Sequence, residues 1–133
     1  MTSSRSRLLV NRLTHLFYRY IAHEKFLVAD CPKYGLKFRF FIRDGVGRDI
    51  YYKYGVYAED FITEHVLKDL DLKDGDLVID IGSNIGWYSL VLSARARPTV
   101  LSFEPDPLNF SLLEHNIQIN GRQNIRSLTK KSR

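Results

Sequence analysis

Cysteine is nearly missing from this chain: Cys31 stands alone among 133 residues, beside only four prolines. A lone thiol excludes an internal disulfide framework, and no cysteine–histidine spacing suggests a metal site. Cys31 reads as a spectator. His15, His23, His65 and His115 lack the partner spacing of a ligand set or a catalytic triad, and read as surface or helix-face residues. No stretch of about eighteen apolar residues occurs, so no transmembrane helix is expected. Repeats and low-complexity segments are absent too. Acidic side chains are missing from Met1 through His23.

The last absence marks one of two basic ends behind the formal charge of +5. Residues 1–25 hold five bases against Glu24, and residues 122–133 hold five bases and no acid. The span between them carries ten bases and fourteen acids. Basicity therefore sits at the two ends, where it can touch phosphates or a membrane surface or simply be solvated. A nucleic-acid partner is not expected. The Ser- and Arg-rich start places Leu9, Leu13, Leu16, Phe17 and Tyr20 on one helical stripe. An amphipathic helix packed on the domain is expected there. A leader for an organelle is the alternative, and otherwise the location expected is cytoplasmic.

What is present divides into zones. Residues 8–25 read as a helix, and 33–57 as a hairpin: "LKFRFFI", the turn "RDGVGRD", then "IYYKYGVY". From Ala58 the period becomes helical, with Phe61, Ile62, His65, Val66 and Leu70, until the polar turn "DLKDGD". "LVIDI" is a short apolar strand of the kind buried in parallel sheets. A helix with Trp87, Leu90, Val91 and Ala94 inward follows, then the strand "TVLSFE" and the helix "PLNFSLLEHNIQIN" ending at Asn120-Gly121. "NIRSL" opens a third strand. Strand–helix–strand–helix between Asp76 and Arg126 is half of a doubly wound α/β sheet. The domain reading is a helix-and-hairpin extension over 1–57 and an α/β domain over 58–133.

The junction "DLVIDIGSNIGWYSL" places an acid and two glycines where the first strand turns into a helix. Such a turn leaves helix N–H groups unpaired and can receive a polar ligand. Gly82 and Gly86 remove side chains where a ligand would approach, and Asp80 can accept from a ligand's ammonium group or hold the loop. Twenty-four residues on, Glu104 ends the next strand, where an acid reaches the vicinal hydroxyls of an adenosine ribose. A dinucleotide turn wants G-x-G-x-x-G against a pyrophosphate, but positions 84 and 87 are Asn and Trp. S-adenosylmethionine carries no phosphate and a cationic sulfonium, and suits Asp80 and Asn84 better. A nicotinamide-dependent oxidoreductase is disfavoured on the same two residues.

"VIDIGSNIGWYSL", "VLSFEPDPLNFSLLEHNIQIN" and "YGVYAEDFITEHVL" resemble the FkbM-type S-adenosylmethionine-dependent methyltransferases over about residues 50–125. The resemblance implies S-adenosyl-L-methionine as cofactor, bound by Asp80, Gly82, Ser83, Asn84, Gly86, Glu104 and Pro105, with Asp106 in the following turn. It implies methyl transfer to a hydroxyl of a sugar, glycolipid or natural product. A complete enzyme of this class has seven strands, so the chain reads as an N-terminal portion whose acceptor-binding and catalytic groups lie elsewhere. Inactivity of the isolated chain is expected, and no catalytic base is assigned. A non-catalytic module that completes its sheet with another chain is the alternative. Self-association through the first strand's open edge goes with it.

Overall fold

The computed structural model describes residues 4–130, except 54, 56, 58 and 59. It divides into two compact units, Met1–Ala58 and Glu59–Arg133.

The first unit opens with helix α1 (Ser4–Tyr20), followed by the antiparallel strands β1 (Phe26–Cys31) and β2 (Leu36–Phe41) and by helix α2 (Gly45–Tyr52). Leu36, Phe38 and Phe40 alternate inward from β2 and are buried, with Ala29 and Cys31 from β1. Each such Leu or Phe stabilises the unit by about 1.5–3 kcal/mol. The hairpin is thus real but shifted. Its first strand is β1, and its turn is Pro32–Gly35 rather than "RDGVGRD".

That second stretch, expected to turn and resume a strand, is α2 over Gly45–Tyr52. Asp44 caps it, its Oδ2 accepting from the Gly47 N–H at 2.7 Å. Gly47 lies so close to Phe40 that an added Cβ would fall 2.0 Å from the ring-bearing carbon. A capping acid and a glycine seated on the hairpin outweigh the strand preference of the tyrosines. Tyr54 and Val56 of that stretch lie outside the described residues. Cys31 is buried, its Sγ donating to the Gly55 carbonyl at 2.6 Å.

Helix α1 joins this unit by a side its hydrophobic pattern does not suggest. Asn11 donates to the Tyr51 carbonyl at 2.9 Å, and His15 is buried between the Ile42 carbonyl and the Tyr52 hydroxyl, both at 2.9 Å. The stripe Leu9, Leu13, Leu16, Phe17 and Tyr20, expected to pack inward, is exposed. His15 likewise is a core residue rather than a surface one.

The second unit runs helix α3 (Asp60–Asp69), strand β3 (Leu77–Ile81), helix α4 (Trp87–Ser93), strand β4 (Thr99–Phe103), helix α5 (Pro107–Ile119) and strand β5 (Ile125–Leu128). The three strands are parallel in the order β3-β4-β5, Val78 beside Val100 and Val100 beside Ile125. Helices α4 and α5 cover the face that carries Val100, Ser102 and Ile125, burying Leu90, Val91, Leu112 and Leu113. Trp87 is buried with them, but Ala94, expected inward, is exposed at the end of α4. Asp106 caps α5 ahead of Pro107, and Gly121 (φ 60°) ends it. The opposite face of the sheet, with Leu77, Ile79, Ile81 and Phe103, is exposed among the described residues, and β3 is an edge strand. The observed fold is α/β with a parallel sheet, as the strand–helix alternation requires.

Candidate functional site

The carboxyl ends of β3 and β4 lie side by side, because Ile81 pairs with Phe103. The loop after β3 is knitted to the end of β4. The N–H groups of Gly82 and Ser83 both donate to the Phe103 carbonyl, at 2.8 and 3.0 Å. Ser83, nearly fully buried, also sends its hydroxyl to the Asp80 carbonyl at 3.0 Å. Two glycines make this path possible for different reasons. Gly82 has φ 78° and open space where a Cβ would be. Gly86 has φ 93°, and a Cβ there would meet Leu113 Cδ1 at 2.7 Å.

Glu104 closes the loop. It is 5% exposed, and both carboxylate oxygens are engaged: Oε2 accepts from the Asn84 N–H at 2.7 Å, Oε1 from the Asp106 N–H at 2.8 Å. Asn84 therefore stands at φ 51°, a left-handed conformation that asparagine tolerates better than most residues. Its side-chain Oδ1 is buried with no hydrogen-bond partner. Asp80 points the other way, toward α4, where its Oδ2 accepts from the Ser89 hydroxyl at 2.6 Å; that hydroxyl also meets Ser102. Asp80 is thereby tied to α4 through Ser89. Pro105 is exposed at the rim.

All seven candidate residues thus gather at one end of the sheet, yet not all face open space. In the loop ahead of α4, the N–H groups of Gly82, Ser83 and Asn84 are already paired. Trp87 does not crowd the loop either. Its indole N–H donates to Thr63 of α3 at 2.9 Å, inside the unit. Ser89 and Asn116 tie the loop region to α4 and α5. Asn116 is buried and donates to the Ile85 carbonyl at 2.9 Å, pinning the loop to α5. Nothing but its position nine residues after Asp80 marks Ser89. Chemically the cluster offers acceptors: a carboxylate with lone pairs beyond its two donors, and an amide oxygen without one. Among the described residues no group of three His, Cys, Asp or Glu could hold a metal ion.

No protein-family model matches the sequence. Methyltransferase sdnD of Sordaria araneosa is 32% identical over 66 residues, 49% of this chain and 25% of that protein. The chain spans about a quarter of the length of the curated relatives it matches. Among solved structures, M. jannaschii TYW2 in complex with AdoMet superposes with a TM-score of 0.60 at 18% identity, over 80% of this chain and 43% of that one. Protein PH0793 of Pyrococcus horikoshii superposes at 0.62 and 17%, over 91% and 47%. The fold is therefore a Rossmann-like α/β arrangement shared with these structures, and the chain's sequence similarity is to methyltransferases.

Proposed function

We propose that the chain carries the cofactor-binding half of an S-adenosylmethionine-dependent methyltransferase of FkbM type, acting on a hydroxyl of a sugar, glycolipid or natural product. The observation that carries this reading is a juxtaposition in one loop: the buried Glu104 carboxylate accepts from the Asn84 backbone N–H, and the Asn84 side-chain Oδ1 is buried without a hydrogen-bond partner. The similarity to methyltransferases and to a fold solved with AdoMet supports it. When bound, the cofactor would supply an electrophilic sulfonium methyl to an acceptor hydroxyl oxygen, with S-adenosylhomocysteine as the leaving group and the hydroxyl proton released. The chain's own part is to hold and orient. Glu104 accepts from the ribose hydroxyls with the lone pairs its backbone donors leave. Asn84 Oδ1 takes an N–H or O–H donor, Gly82 leaves the backbone open, and Asp80 fixes the loop through Ser89.

Calorimetry with S-adenosylhomocysteine tests the assignment. Asn84→Gly keeps the positive φ and the N–H bond to Glu104 but deletes the free acceptor, and should weaken binding about fivefold, the value of about 1 kcal/mol for one hydrogen bond. Binding of a nicotinamide dinucleotide in place of S-adenosylhomocysteine would refute the reading. Transfer itself needs an acceptor held in line at roughly 3 Å. The described residues wall the site only from the β4 side, so the chain of 133 residues should bind but not turn over.

One observation favours a second reading, a module that pairs with another strand. Strand β3 is an edge whose Ile79 and Ile81 are exposed, Ile81 at 83%. If that edge recruits a strand, Ile79→Lys with Ile81→Lys should abolish self-association seen by light scattering. An unchanged mass distribution would count against it.

A further inference from the structure

We infer that α1 is a membrane-surface anchor, docking the first unit on a lipid bilayer rich in anionic headgroups. Three observations carry this. First, the helix is fastened by its polar side. Asn11 and His15 make the contacts to Tyr51, Tyr52 and Ile42, so Phe17 and Tyr20 are left exposed, and Leu9, Leu13 and Leu16, exposed too, border a groove beside α2. Leu13 is 57% and Tyr20 60% exposed. These ties into a buried histidine join α1 to the unit.

Second, charge borders that stripe on one sign only. No acid occurs from Met1 through His23. Arg12 and Arg19 stand seven residues apart, which sets them along one flank of the apolar stripe. Arg12 is exposed, its guanidinium 5.9 Å from the Tyr52 ring centre. Arg19 stacks over Tyr20 at 5.0 Å, and its Nε is buried without a hydrogen-bond partner. Third, a groove of about 640 Å³ runs between α1 and α2, where Arg12, Arg19 and Arg48 meet Leu9, Leu13 and Leu16. Its carboxylate, Asp49, lies 3.8 Å from the Lys53 ammonium. A cationic groove bordered by an outward apolar stripe matches phosphate headgroups above acyl chains.

The dimensions agree. Seventeen residues make a helix about 25 Å long, and no described helix is long and apolar enough to cross a membrane. Such a helix lies in the interface, its apolar face sunk to the acyl boundary and its arginines at the headgroups. A second copy is a poorer occupant, because two α1 faces would bring their arginine rows together.

Co-sedimentation of the full chain with vesicles decides the matter. Binding is expected to vesicles of phosphatidylcholine with phosphatidylserine, to weaken as salt rises, and to be absent with phosphatidylcholine alone. Inorganic phosphate at equal ionic strength should not displace the protein. Leu13→Glu with Phe17→Glu should lower partitioning at least about tenfold, and Arg12→Gln about fivefold. Leu13→Ser with Phe17→Ser, a milder pair, should act in the same direction while the circular dichroism spectrum stays that of the parent. Four results would each overturn the inference: no partitioning into anionic vesicles; undiminished partitioning of the folded double variants; release by phosphate; or a concentration-dependent dimer that these variants dissolve.

Discussion

Glu104 offers the sharpest test of how the loop is held. Its carboxylate is almost wholly buried and takes two backbone donors, Asn84 N–H at 2.7 Å and Asp106 N–H at 2.8 Å. Glu104→Ala deletes both acceptors at once. Water can replace the bond to Asp106, which is exposed, more readily than the bond to half-buried Asn84. A hydrogen bond to a charged group is worth about 1.5–3 kcal/mol, so the loss expected is about 2–3 kcal/mol rather than twice that. Glu104→Gln keeps the shape and one acceptor but turns an amide N–H toward the remaining donor, and should cost about 1–2 kcal/mol. Trp87, the single tryptophan, is buried in the same unit and reports its unfolding by fluorescence in urea. A Glu104→Ala protein within about 0.5 kcal/mol of the parent, the range of inconsequential surface changes, would refute the reasoning. So would a Gln variant less stable than the Ala variant.

Three further outcomes are expected. Gly86→Ala should cost about 2–4 kcal/mol in the same assay. The residue stands at φ 93° and its Cβ would press on the buried Leu113, while Gly82→Ala, with open space around it, should cost only about 1–2 kcal/mol. His15→Leu should destabilise the first unit by about 1–3 kcal/mol, read from circular dichroism, because the Ile42 carbonyl loses its buried donor. Burial raises the Tyr51 hydroxyl above its ordinary value, with Tyr18 and Tyr52 adding to the shift. The folded state thus favours the protonated tyrosine, a contribution fully present below about pH 10 and lost as pH rises beyond it. Tyr51→Phe should flatten that alkaline decline, and an identical decline in the variant would argue against it.

Much of the second unit was legible because its signals are local. Apolar runs bounded by Asp74-Gly75, Asp80-Gly82 and Asn120-Gly121 place β3, α4, β4 and α5, and a parallel sheet follows from their alternation. The positions of Asp80, Gly82, Asn84, Gly86 and Glu104 at two neighbouring strand ends follow from the same pattern. The first unit was less legible. "GVGRDIYY" has the composition of a turn and a strand, yet it is a helix because Asp44 caps it and Gly47 lets it sit on Phe40.

Sequence by itself determined the order of elements in the second unit, the loop's glycines and the residues that could meet a ligand, since periodicity and turn chemistry act over a few positions. Only tertiary structure decided which face each element shows. It turned α1 over, because two hydrogen bonds to the buried His15 outweigh an apolar stripe that stays exposed. It also turned Asp80 toward Ser89 and left Glu104 to close the loop. Those choices rest on donors and acceptors nine or more residues apart, which must all be paired once water is excluded.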